Sequence, residues 1–123
     1  PNRALKGEYP AGVIDWGANR WYLSVPPGAS TTNSVRFNGP GSTSRSIVFV
    51  TARRLVQFTA SNGGSNPSTV SAACDWQPPV QITVASNQRA TLVTNWIETC
   101  TTVSIGSSNG WDTSFDNLVL DPA

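Results

Sequence analysis

Histidine is absent from the chain. Without imidazole, Ser–His and Cys–His nucleophile activation are excluded. The usual zinc hydrolase and copper oxidase sites, built on imidazole ligands, go with them. Charge is sparse as well: 12% of residues are charged and the formal net charge is +1. The basic excess that would mark a nucleic-acid or anionic-membrane partner is therefore missing. So is the high charge of a disordered chain. No run approaches the ~18 apolar residues of a membrane-spanning helix. Gly39-Pro40-Gly41 is not followed by the lysine and helix that a phosphate-binding loop needs. No segment keeps helical apolar spacing over three turns without a Gly or Pro, which argues against long amphipathic helices. There is no signal-peptide pattern at the start, and the chain opens at Pro1 rather than Met, which sets the expectation of an excised module.

Cysteine is limited to Cys74 and Cys100. Each sits at the edge of an apolar-alternating run, so a bridge between them is expected. Closing a loop of this length stabilises a fold by roughly 3–4 kcal/mol through chain entropy. With a composition rich in Ser, Thr, Asn, Gly and Pro, the pair favours an oxidising compartment, and the protein is expected to be secreted and extracellular. At 123 residues the chain is long enough for one domain, 1–123, with its own core.

What is present reads as short strands divided by turn chemistry. Gly12 to Trp16 and Arg20 to Val25 flank Gly17-Ala18-Asn19, and a Pro/Gly/Ser/Thr loop follows over Pro26 to Asn33. Ser34 to Phe37 stops at Asn38-Gly39-Pro40-Gly41, a strong breaker cluster. Ser46 to Thr51 is apolar on both faces and reads as a strand buried on both sides. Leu55 to Ala60, Ser68 to Cys74, Val80 to Val84, Ala90 to Ile97, the segment around Val103 and Ile105, and Phe115 to Leu120 complete the set. Roughly nine or ten strands at this spacing predict an all-β fold, an antiparallel β-sandwich of two sheets with jelly-roll form.

Five tryptophans are the main functional clue. The axial C–H face of a pyranose stacks on indole, and Trp has few side-chain torsions to freeze. Trp21 shares a face with Leu23 and Val25, and Trp96 with Leu92 and Thr94, so both are expected in the core. Trp76, in Asp75-Trp76-Gln77-Pro78-Pro79, and Trp111, in Asn109-Gly110-Trp111-Asp112-Thr113, lie in polar turns. These two are the expected sugar platforms, with Asp75, Gln77, Asn109 and Asp112 as hydrogen-bonding neighbours. Trp16, Asn19, Arg20 and Tyr22 form a second candidate patch, although Trp16 reads equally well as a plug at the sandwich end.

A glycosidase needs two carboxylates about 5–10 Å apart. None of Glu8, Asp15, Asp75, Glu98, Asp112, Asp116 and Asp121 stands in a spacing that argues for such a pair, so no catalytic residue is expected. Asp116, followed by Asn117 in the last strand, is a candidate ligand for a structural calcium ion at the sandwich end. No other cofactor is expected.

The closing segment Phe115-Asp116-Asn117-Leu118-Val119-Leu120 resembles the last strand of jelly-roll carbohydrate-binding modules. Tyr9-Pro10-Ala11-Gly12-Val13-Ile14-Asp15-Trp16-Gly17, followed by Trp21-Tyr22-Leu23, is similar to the opening of secreted sandwich domains with that ending, and Ser34-Val35-Arg36-Phe37-Asn38-Gly39 continues the likeness. Such modules are appended to secreted plant-cell-wall hydrolases. The resemblance implies a monomeric, non-catalytic module that binds β-1,4 or mixed-linkage glucan (cellulose, barley β-glucan or xyloglucan type) and directs a linked glycoside hydrolase to it. A structural or adhesive domain that binds protein is the alternative, and a small glycoside hydrolase a more distant one.

Overall fold

Nine antiparallel strands make up nearly all of the regular structure in a computed structural model that describes residues 3–8, 11–24, 34–74 and 77–122. They are β1 (Arg3–Glu8), β2 (Ile14–Ser24), β3 (Ser34–Phe37), β4 (Ser44–Asn62), β5 (Ser68–Cys74), β6 (Gln77–Val84), β7 (Arg89–Val93), β8 (Cys100–Ser107) and β9 (Thr113–Pro122). The only other element among the described residues is a 3-10 turn, Gly110–Asp112. The all-β, sandwich-like reading holds. β3 and β5 begin and end where the alternation and the Asn-Gly-Pro-Gly break place them.

Two strands each join segments expected to be separate, and they organise the fold. The segments either side of Gly17-Ala18-Asn19 are one strand, β2. Gly17 and Asn19 take positive φ of 73° and 61°, a kink that lets β2 continue. The first part of β2 pairs with β4 (Ile14 opposite Phe49) and its last part with β3 (Trp21 opposite Phe37). Likewise, the two expected strands 46–51 and 55–60 are the single strand β4, because Thr51-Ala52-Arg53-Arg54 contains no Gly or Pro to break it. The first half of β4 pairs with β8, and its second half lies between β9 and β7. One layer is thus β1, β2, β4, β8, β5 and β6. The other is β2, β3, β9, β4 and β7, with β1 running beside both parts of β2. The layers are continuous through β2 and β4, so all nine strands belong to one sheet, which corrects the expectation of two separate sheets. β1 carries no strong sequence signal and is an addition to the expected set.

One apolar cluster fills the space between the layers. Trp21 lies at its centre, edge-on to Trp16, Phe37 and Phe115 at centroid distances of 5.4, 5.3 and 6.2 Å. Its indole N–H donates to the Ser46 carbonyl at 3.0 Å, and that of Trp96 donates to the Pro78 carbonyl at 2.8 Å. Both indoles are buried, as expected. The expectation that β4 is buried on both sides is corrected. Ile47 and Phe49 face the core, but Val48 and Val50 are 42% and 46% exposed. On this face Asp15 lies level with Val48 on one side and Thr102 on the other.

Cys74 and Cys100 form the expected disulfide, tying the end of β5 to the start of β8. The bridge closes a loop of 26 residues, worth roughly 3.5 kcal/mol by chain entropy. Native protein is therefore expected to resist alkylation, and reduction should lower the unfolding free energy by about that amount. Two thiols that alkylate without reductant would contradict the bridge.

Candidate glycan-binding face

The outward face of the layer β2–β3–β9–β4–β7 carries a row of polar and aromatic side chains set by strand register. Tyr22 on β2 lies directly opposite Arg36 on β3. The Val35–Phe115 pairing puts Arg36 level with Ser114 on β9. Ser114 faces Ser61 on β4, and Ser61 faces Arg89 on β7. Directly opposed residues on one face have Cβ atoms about 5 Å apart, so the five side chains form one line across five strands. Inward neighbours of this line, Trp21, Phe37, Phe115 and Ala60, are all buried, which is why the intervening polar residues must point out.

Trp111 stands at the rim of this face. It is 43% exposed and sits on the 3-10 turn between β8 and β9. On one side of it a cleft of about 360 Å³ is lined by Trp111, Tyr22, Arg36, Phe37, Asn38 and Gly39. On its other side a groove of about 270 Å³ runs between 40–43 and 108–110. A third groove of about 440 Å³, containing Asn87, Gln88, Arg89 and Asp112, shares Arg36 with the Trp111 cleft. The indole thus divides two depressions, and Arg36 connects its cleft to the polar groove beyond.

The turn that presents Trp111 is held from behind by amides. Asn109 Oδ1 accepts from Ser107 Oγ at 2.9 Å and from Thr113 Oγ1 at 2.6 Å. Its Nδ2 donates to Asn62 Oδ1 at 2.8 Å. Asn62 also accepts from the Gly64 N–H and donates to the Asn66 and Val84 carbonyls. The Gly63 N–H donates to the Asp112 carbonyl. Gly110, at φ 61°, would place a Cβ 2.8 Å from the Ser42 carbonyl oxygen, so only glycine permits this turn.

The two expected patches are therefore redistributed. Trp111 and Tyr22, assigned to different patches, meet in one cleft. Asn109 is a correction: its amide is taken up by Ser107, Thr113 and Asn62, so it positions the turn instead of offering bonds to a ligand. Asp112 is exposed and lines the groove that contains Arg89. Trp16 is a second correction, since only 5% of it is exposed and it packs edge-on to Trp21, as the plug reading has it, although its edge still lines a groove with Arg20. Arg20, with Asp15, lines a separate groove of about 430 Å³ beside Ser44 and Ser46. Asn19 is exposed, and its carbonyl accepts from Asn38 Nδ2. Gln77 is 8% exposed, which removes it as a surface contact. Asp75 and Trp76 lie outside the described residues.

Asp116 lies level with Thr59 in β9 and is half-buried. Among the described residues no group of three or more His, Cys, Asp or Glu side chains could hold a metal, so the calcium expectation finds no carboxylate set around Asp116. Arg36, Asn38 and Arg89 were missed in the sequence. The alternation in 34–37 turns Arg36 outward, but only the register between strands places it beside Tyr22. Among the described residues no helix is long and apolar enough to cross a membrane. Comparisons with protein-family models, with curated proteins and with solved structures gave no match.

Proposed function

We propose that this domain is a non-catalytic polysaccharide-binding module that holds a β-linked glycan, of the β-1,4 or mixed-linkage glucan type, and directs a linked glycoside hydrolase to it. The observation that carries this reading is the meeting of Trp111 and Tyr22 in one open cleft above a polar sheet face. An exposed indole on a braced turn offers a stacking surface that needs little reordering on binding. Asn38, whose Nδ2 donates to the Asn19 carbonyl, keeps its Oδ1 beside it to accept from a ring hydroxyl, and Arg36 lines the same cleft. Secretion is part of the proposal and accords with the disulfide.

Calorimetry and affinity gels with cellulose, barley β-glucan, xyloglucan, xylan and mannan test the reading. At least one of these glycans is expected to bind. Trp111→Ala should weaken that binding by roughly tenfold or more, as loss of an aromatic anchor does. Stability should move by about 0.5 kcal/mol at most, as for other surface substitutions. Full glycan affinity in Trp111→Ala, or early melting of that variant, would remove the assignment.

A further inference from the structure

The line of side chains ends, on the strand farthest from Tyr22, at a cation. Arg89 is the first residue of β7; it is exposed, and among the described residues no hydrogen bond or ion pair engages its side chain. It lines the 440 Å³ groove with Asn87 and Gln88, and that groove reaches the Trp111 cleft through Arg36. The acids of this face come from the 3-10 turn and from β9, as Asp112 and Asp116. Neither β7 nor the preceding segment 85–88 contains an acid. The sequence also favours arginine heavily over lysine, with Lys6 as its one lysine. A guanidinium's planar fork matches an oxyanion in two parallel bonds, which an ammonium cannot do.

We propose that the site takes a β-linked glycan bearing an oxyanion, a uronic acid carboxylate or a sulfate ester, on a sugar beyond the one stacked on Trp111, and that Arg89 binds this group. The proposal rests on the polysaccharide-binding reading above and specifies its substrate class. Tyr22 and Arg89 stand at opposite ends of a row of five strands. Strands lie about 4.8 Å apart, close to the advance of a glycan chain per sugar. A chain laid across the strands with one sugar on Trp111 and Tyr22 therefore brings a later sugar to Arg89. Asp112 in the same groove accepts hydroxyl hydrogens from the sugars between.

The test is calorimetry on wild type and Arg89→Gln with three probes of equal length: a neutral cello-oligosaccharide, one containing glucuronic acid, and one carrying sulfate. An oxyanion-bearing probe is expected to bind wild type roughly tenfold more tightly than the neutral one, the scale of a charge-assisted bond at a solvated site. That advantage should fade as salt is raised toward 1 M, where the screening length is about 3 Å. Arg89→Gln should bring the charged probe to the neutral probe's affinity, with the melting temperature held because the side chain is exposed. Preference for glucuronate alone, sulfate alone or both supports the proposal and identifies the group. Equal affinity for neutral and charged probes in wild type, or a preference that survives Arg89→Gln, overturns it while the Trp111 site stands. Binding to none of the three, and to none of the neutral polysaccharides, overturns both.

Discussion

Replacement of Trp21 by alanine is expected to lower the unfolding free energy by about 4–5 kcal/mol, near the upper end for a buried aromatic. Trp21 is fully buried and touches three other rings edge-on. Each such pair contributes about 0.5–1.5 kcal/mol beyond area burial, so deletion removes more than transfer energy. The cavity opens where β2, β3, β9 and the first half of β4 converge, and a single side-chain shift cannot refill it. Trp21→Phe keeps a ring but loses the N–H that meets the Ser46 carbonyl, and it should cost about half as much. Urea denaturation of both variants decides the matter. A Trp21→Ala loss below about 1 kcal/mol would show that the cluster does not hold the layers together.

Asn62→Ala is expected to cost on the order of 4 kcal/mol, an amount usually reserved for core hydrophobes. Asn62 is 2% exposed, and its amide uses both ends. It donates to the Asn66 and Val84 carbonyls and accepts from the Gly64 N–H and from Asn109 Nδ2. Truncation leaves up to four polar groups without that partner, and each buried one costs about 1–3 kcal/mol. The damage should also reach the proposed glycan site, because Asn109 orients the turn bearing Trp111 through the same amide. Folded Asn62→Ala should therefore bind glycan more weakly, although Asn62 is not proposed to touch sugar. Asn62→Asp keeps the acceptor but loses the donor, and it should fall between alanine and wild type in stability. A change below about 1 kcal/mol for Asn62→Ala would mean that water replaces the amide.

The fold class was legible because period-2 alternation and Gly/Pro punctuation are local signals. They placed β3 and β5 at their observed bounds and turned Trp21 and Trp96 inward. Where a strand continued through a polar stretch, as β4 does at Thr51-Ala52-Arg53-Arg54, the same signals failed. Nothing local distinguishes a turn from a strand passing between layers. The site was partly legible for the same reason. The exposure of Trp111 was legible because its turn chemistry is local. Its companions Arg36 and Tyr22 are neighbours only through the β2–β3 register, and Arg89 joins them only through β9 and β4. The role of Asn109 was misread because its partners Asn62, Ser107 and Thr113 come from three separate strands.

The passage of β2 and β4 through both layers bears on how the chain reaches its native state. β4 lies mid-chain, yet it pairs with one strand before it, β2, and with three after it, including β9, the last. Neither layer can close until nearly the whole chain has arrived, so loop-closure entropy falls due before most pairings form. Such non-local topologies fold slowly, in milliseconds to seconds, and leave little room for one layer to persist without the other. The strand that joins the two faces thereby also makes their loss a single event.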